Sequence, residues 1–114
     1  MYNLKFHKTL TPSRWREFAP SQQILMIANE LNRAKNALLR KDTEEVKECY
    51  ERAIELLDLT INVSRKRNQR KELLRFREIL GLEYLRKEKN VSFIEMLTKT
   101  LTLLDEKAFN LLNP

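Results

Sequence analysis

The chain is short of almost everything that punctuates a fold or reacts. Its 114 residues hold one glycine, three prolines, one cysteine and one histidine. So few turn formers argue against a many-stranded β fold and for long helices with few connections. The lone Cys49 cannot close an internal disulfide, and with His7 the only histidine no Cys/His set has zinc spacing. The Glu-x-x-His pairs of a di-iron bundle are missing, and no glycine-rich loop is there to cradle phosphate. No apolar run reaches the roughly 18 to 20 residues that span a bilayer, and Met1–Lys8 lacks the apolar core of a signal peptide. The expectation is a protein without catalysis, metal or cofactor and not at a membrane. With Cys49 read as a small core thiol, it is placed in the cytoplasm.

What is present is helical periodicity. The length suits one domain, residues 1–114, with an arm over 1–11 and a bundle over 12–113. Met1–Leu10 alternates only loosely at Tyr2, Leu4 and Phe6 and reads as an irregular or extended arm. Thr11 followed by Pro12 signals an N-cap and first-turn proline, opening a helical turn near 12–18 with Trp15 and Phe18. These rings are read either as a plug over one end of the bundle or as a partner-binding anchor.

From Pro20 the apolar residues Ile24, Ile27, Ala28, Leu31, Ala34 and Leu38 recur at spacings of three and four, with Gln22 and Gln23 among the polar remainder. A turn at Lys41, Asp42 and Thr43 follows, and Asp42 with Glu45 makes a capping pattern for a second helix. That helix repeats the spacing with Val46, Cys49, Tyr50, Ala53, Leu57 and Ile61, so the two stripes are expected to pack antiparallel. The positions of Ala34, Asp42, Val46, Tyr50, Ala53 and Ile54 resemble one unit of the tetratricopeptide repeat over about 30 residues. The chain departs from that pattern in Glu30, in the length of the second helix and in lacking a second copy. Similar hairpins occur in flagellar export chaperones, and the likeness implies shared packing only.

A third helix is expected over 68–87. It has Leu73, Phe76, Leu80 and Tyr84 on one face, with Ile79, Leu82 and Leu85 widening it, and Gly81 allowing close approach of a neighbouring helix. Ser92 with Glu95, and Val91 with Met96, suggest a capping box and hydrophobic staple opening one last helix with a seam of Ile94, Leu97, Leu101, Leu104, Ala108 and Leu111. Together these elements predict an all-α, antiparallel up-down-up-down four-helix bundle.

Charge is unevenly placed within the net +6. Residues 13–41 carry six cations against two carboxylates, residues 42–63 two against seven, and residues 64–90 ten against four. Seven cations fall in the thirteen residues 65–77, and cations at a helix start oppose the helix dipole. The acidic second helix, with Glu44, Glu45, Glu48 and Glu51, is one expected counter-charge; nucleic-acid phosphates are another. Glu30, Glu55 and Asp58 interrupt apolar stripes and call for pairing with Arg33, Arg75 or Arg77.

Two functions follow. The favoured one is a non-catalytic interaction or adaptor protein, self-associating or binding a protein partner through Trp15, Phe18, Phe93, Met96, Leu103 and Phe109. The other is a nucleic-acid-binding accessory protein whose Arg65, Lys66, Arg67, Arg70, Lys71 and Arg75 contact phosphates without reading sequence.

Overall fold

The computed structural model describes residues 5–112, so Tyr2 and Leu4 of the expected arm and residue 113 at the end of the bundle lie outside it. Among the described residues the chain is all-α, with six helices and no strand. They are α1 (Pro12–Arg16), α2 (Pro20–Leu39), α3 (Thr43–Val63), α4 (Arg67–Leu85), α5 (Val91–Thr102) and α6 (Glu106–Leu112).

The α2–α3 hairpin organises the rest. Its turn is a Schellman-type C-cap: the Asp42 N–H donates to the Ala37 carbonyl at 2.9 Å and that of Lys41 to Leu38 at 3.0 Å. Lys41 carries the left-handed conformation this requires, at φ 61°. Asp42 then caps α3, its Oδ1 accepting from the Glu45 N–H at 3.2 Å. Only residues 40–42 connect the two helices, so α3 runs back along α2, and Glu30 near the middle of α2 meets Arg52 near the middle of α3. Both stripes are buried but for the half-buried Leu38 at the end of α2, Ala34 and Ala53 completely.

Antiparallel packing continues into α4. Asp58 pairs with Arg77, and seven residues back along α3 Glu51 meets Tyr84, seven residues on along α4. α5 packs mainly on α2, not on α4, with α6 folded against α2 and α1 laid across α3. The main packing order is therefore α4, α3, α2, α5, and α4 leans on one neighbour alone among the principal contacts.

Trp15 is fully buried, and its Nε1–H donates to Thr60 Oγ1 at 2.9 Å. Gln23, expected on the polar face of α2, is also buried, and its amide donates to the carbonyls of Trp15 and Phe18. It ties α1 to α2 by satisfying backbone groups left over where α1 ends.

Four local expectations are corrected. The N-cap of α5 is Asn90, whose side chain accepts from the Phe93 N–H at 2.7 Å. Val91 is thus the first helical residue, the Ser92 box and its staple do not form, and Met96 is half exposed. The last helix is two, because Asp105 Oδ1 accepts from the Ala108 N–H at 2.9 Å and starts α6 anew. Ile79, Leu82 and Leu85 do not widen the core, being 43, 68 and 74% exposed. Gly81 does not admit a neighbouring helix either: a Cβ there would meet only the Nη1 tip of Arg77, at 3.0 Å.

Candidate interaction surfaces

Glu30, which interrupts the apolar stripe of α2, is drawn with two carboxylates of α3 into ion pairs around one residue that sequence reasoning missed. Arg52 donates through Nε to Glu30 Oε1 at 3.2 Å and through Nη2 to Glu45 Oε1 at 2.9 Å, and its Nη1 lies 3.8 Å from Glu48. Arg33 adds a second contact to Glu30 at 3.5 Å. Glu48 and Arg52 stand four residues apart on one helix, so this pair at least was visible in the sequence. The hydrogen bond from Arg52 holds the Glu45 carboxyl below its ordinary range. Burial pushes the neighbouring Cys49 thiol up to about 11.

Glu55 and Asp58 are settled too. Both Glu55 oxygens accept from the Phe6 N–H, at 3.2 and 3.0 Å, and His7 Nδ1 lies 3.8 Å away. Asp58 accepts from Arg77 at 2.8 Å. Glu51 accepts from the Tyr84 hydroxyl at 2.6 Å, which holds its carboxyl below the usual range, and Lys5 lies 3.4 Å away. These contacts fasten the arm to α3. No group of three or more His, Cys, Asp or Glu among the described residues is placed to hold a metal ion.

The basic cluster has no such partners. Arg65 and Lys66 occupy the α3–α4 turn, while Arg67, Arg70, Lys71 and Arg75 follow along α4, all exposed. None of the six has an ion pair or side-chain hydrogen bond among the described residues, whereas Arg77 is held by Asp58. The acidic start of α3 does not neutralise them for a geometric reason. Antiparallel packing sets the start of α4 beside the end of α3, and about 25 Å of helix separates that end from Glu44, Glu45 and Glu48.

α4 also carries leucines on two faces. Leu73, Phe76, Leu80 and Glu83 are buried on the inner one. On the outer one Arg67, Lys71, Leu74, Glu78, Gly81 and Leu85 recur at alternating spacings of four and three, the 3.5 period of a helix-pairing seam, with Leu82 beside it. Leu74 is 46% exposed. This face borders a groove of about 830 Å³ between α3, α4 and the arm, walled by Phe6, Ile54, Gly81, Leu82 and Leu85.

The residues expected to contact a partner do not gather in one place. Trp15 is inside the molecule and tilts against Phe18 with ring centroids 5.5 Å apart, so it acts as the plug and offers no outer surface. Phe18 is partly exposed beside α1, and Phe93 and Phe109 are half-buried, Phe93 under Arg86. Met96 on α5 and Leu103 at its C-cap lie exposed, seven residues apart. No helix among the described residues is long and apolar enough to cross a membrane. Comparison with protein-family models, with curated proteins and with solved structures finds no match for this chain.

Proposed function

We propose that this protein is a non-catalytic interaction module that self-associates through the outer face of α4. The observation that carries the reading is the exposed row Leu74, Leu82 and Leu85 on the face of α4 turned away from the core. Antiparallel pairing of two α4 helices about an axis between Ile79 and Leu80 sets Leu74 of each copy against Leu85 of the other. Gly81 then faces Glu78, and no Cβ holds the backbones apart there. Such a seam is at the small end of specific interfaces, so the expected dimer is concentration-dependent, with Kd about micromolar or weaker. The exposed Met96 of α5 and Leu103 at its C-cap are a separate surface that this pairing leaves open to a further protein partner. A cytoplasmic location belongs to the same proposal, supported by the buried, unpaired Cys49.

Sedimentation of the wild type and of Leu82→Glu/Leu85→Glu over a hundredfold concentration range tests this. A wild-type dimer that the substitutions dissociate supports it; a wild type that stays monomeric at every concentration removes self-association.

A second reading, contact with nucleic-acid phosphates, is favoured by the six cations without counter-charge. It predicts binding that weakens steeply with salt and is lost on reversing Arg65, Lys66, Arg67 and Arg70.

A further inference from the structure

We infer that a cleft at the basic end of the molecule binds a phosphate monoester carried on an apolar or aromatic body. The inference rests on the basic end described above and is independent of the pairing of α4. The cleft, about 440 Å³, lies where α1, the α3–α4 turn and the α5–α6 junction converge. That volume is within the range of small-molecule sites, about 300 to 1,000 Å³.

Three cations from two separate segments stand around it: Arg16 at the end of α1, and Arg65 and Lys66 in the turn. None of them has an ion-pair partner among the described residues. In the same wall the Ser64 Oγ is buried and makes no hydrogen bond. That hydroxyl is closed to the cleft as it stands, so a ligand oxygen would reach it only once the Ser64 side chain turns toward the cleft.

The cleft also abuts the start of α4, whose N-cap Lys66 makes no side-chain capping bond. Gln69, in the first turn of that helix, lines the cleft. A helix start left without its cap and ringed by cations is destabilised in isolation, and a phosphate reverses both effects.

The remaining wall is apolar, from Ile24, Val63 and Leu73, with the Phe18 ring at the rim. This favours a ligand with a flat or apolar body over inorganic phosphate alone. Asp105 is the one carboxylate in the lining, and its Oδ1 is occupied by the Ala108 N–H. The charged end of the ligand is therefore expected on the Arg65 and Lys66 side.

The chemistry is shared by a free mononucleotide and by the 5′ end of a nucleic acid. The test measures thermal unfolding of the full chain at fixed ionic strength with 5′-AMP, adenosine or inorganic phosphate. 5′-AMP is expected to raise Tm by several degrees at saturation and adenosine to leave it unchanged. Arg65→Glu/Lys66→Glu is expected to abolish the shift. Arg70→Glu/Lys71→Glu, an equal charge change outside the cleft, is expected to retain most of it.

A 5′-phosphorylated oligonucleotide that binds more tightly than its 5′-hydroxyl counterpart identifies the nucleic-acid end as the source; equal binding of the two beside a 5′-AMP shift identifies the free monoester. No shift with 5′-AMP, or an equal loss in both charge-reversed doubles, overturns the site. Salt-sensitive oligonucleotide binding without a 5′-AMP shift would leave only general contact along the phosphate backbone, and overturns it as well.

Discussion

α3 and α4 lie side by side and meet their surroundings in opposite ways. α3 is enclosed by α2, α4, α1 and the arm, and its carboxylates are held by Arg52, Tyr84, Lys5, Arg77 and the Phe6 N–H. α4 leans mainly on α3, its cations before Arg77 carry no counter-charge, and its outer leucines stand in solvent. The difference separates the scaffold from the surface available for binding. An element whose polar groups and apolar face are satisfied inside the molecule has little left to offer a partner, whereas one that leaves both unsatisfied is marked as a contact surface.

The contrast breaks most sharply at Arg52. Arg52→Ala leaves Glu30 almost buried with only Arg33 beside it, and should cost about 3 kcal/mol in urea unfolding at pH 7. The gap from wild type should narrow on acidification. A carboxylate whose folded pKa is depressed contributes stability above its ordinary value of 4.5 and loses it as pH falls below, and the Glu45 part of that contribution needs Arg52. Unfolding curves at pH 7 and pH 3.5 check both statements; an Arg52→Ala protein as stable as wild type would refute the enclosure of α3. In the same region the Cys49 thiol, pushed up to about 11 by burial, should resist a thiol reagent at pH 8 until the protein unfolds.

Lys41→Gly comes next in size. It removes the steric cost of a left-handed lysine at φ 61° and should stabilise the hairpin by about 1 kcal/mol, read from the denaturation midpoint. Gly81→Ala should stabilise α4 by less than about 1 kcal/mol, since the gain in helix propensity is partly offset by pushing aside the Arg77 tip, whose Nε is held by Asp58. The same change should weaken dimerisation, because Gly81 lies near the centre of the paired seam. Opposite signs for stability and association would distinguish a contact surface from an unused face.

The smallest effect is expected at the basic end. Arg67→Glu relieves repulsion by Lys71 and complements the dipole of α4, and should raise stability by a few tenths of a kcal/mol. A loss instead would show that Arg67 has a structural partner after all.

The hairpin was legible because its information is local. Stripes at helical spacing and a capping aspartate at position 42 specify two helices and the turn between them, and α2 and α3 pack along those stripes. Placement of the later helices was not legible, because periodicity shows that a face is apolar but not which neighbour covers it. Leu82 and Leu85 read as core for that reason, and are exposed because α5 packs on α2. The break before α6 was carried by Asp105, a strong N-cap inside a leucine seam that otherwise runs unbroken. Intramolecular neutralisation of the basic cluster stood among the expectations beside external binding and a solvated face, since sequence distance hides that antiparallel packing puts the opposite charges at opposite ends of α3.

Self-association through α4 is tested most directly by a mixed disulfide. Leu74→Cys and Leu85→Cys chains, each with Cys49→Ala, are combined and oxidised slowly. The expected result is a 74–85 cross-linked heterodimer forming well ahead of either homodimer, as antiparallel pairing about an axis between Ile79 and Leu80 requires. Statistical formation of the three products, with the heterodimer at only about twice either homodimer and all at the rate of unrelated surface cysteines, would contradict it.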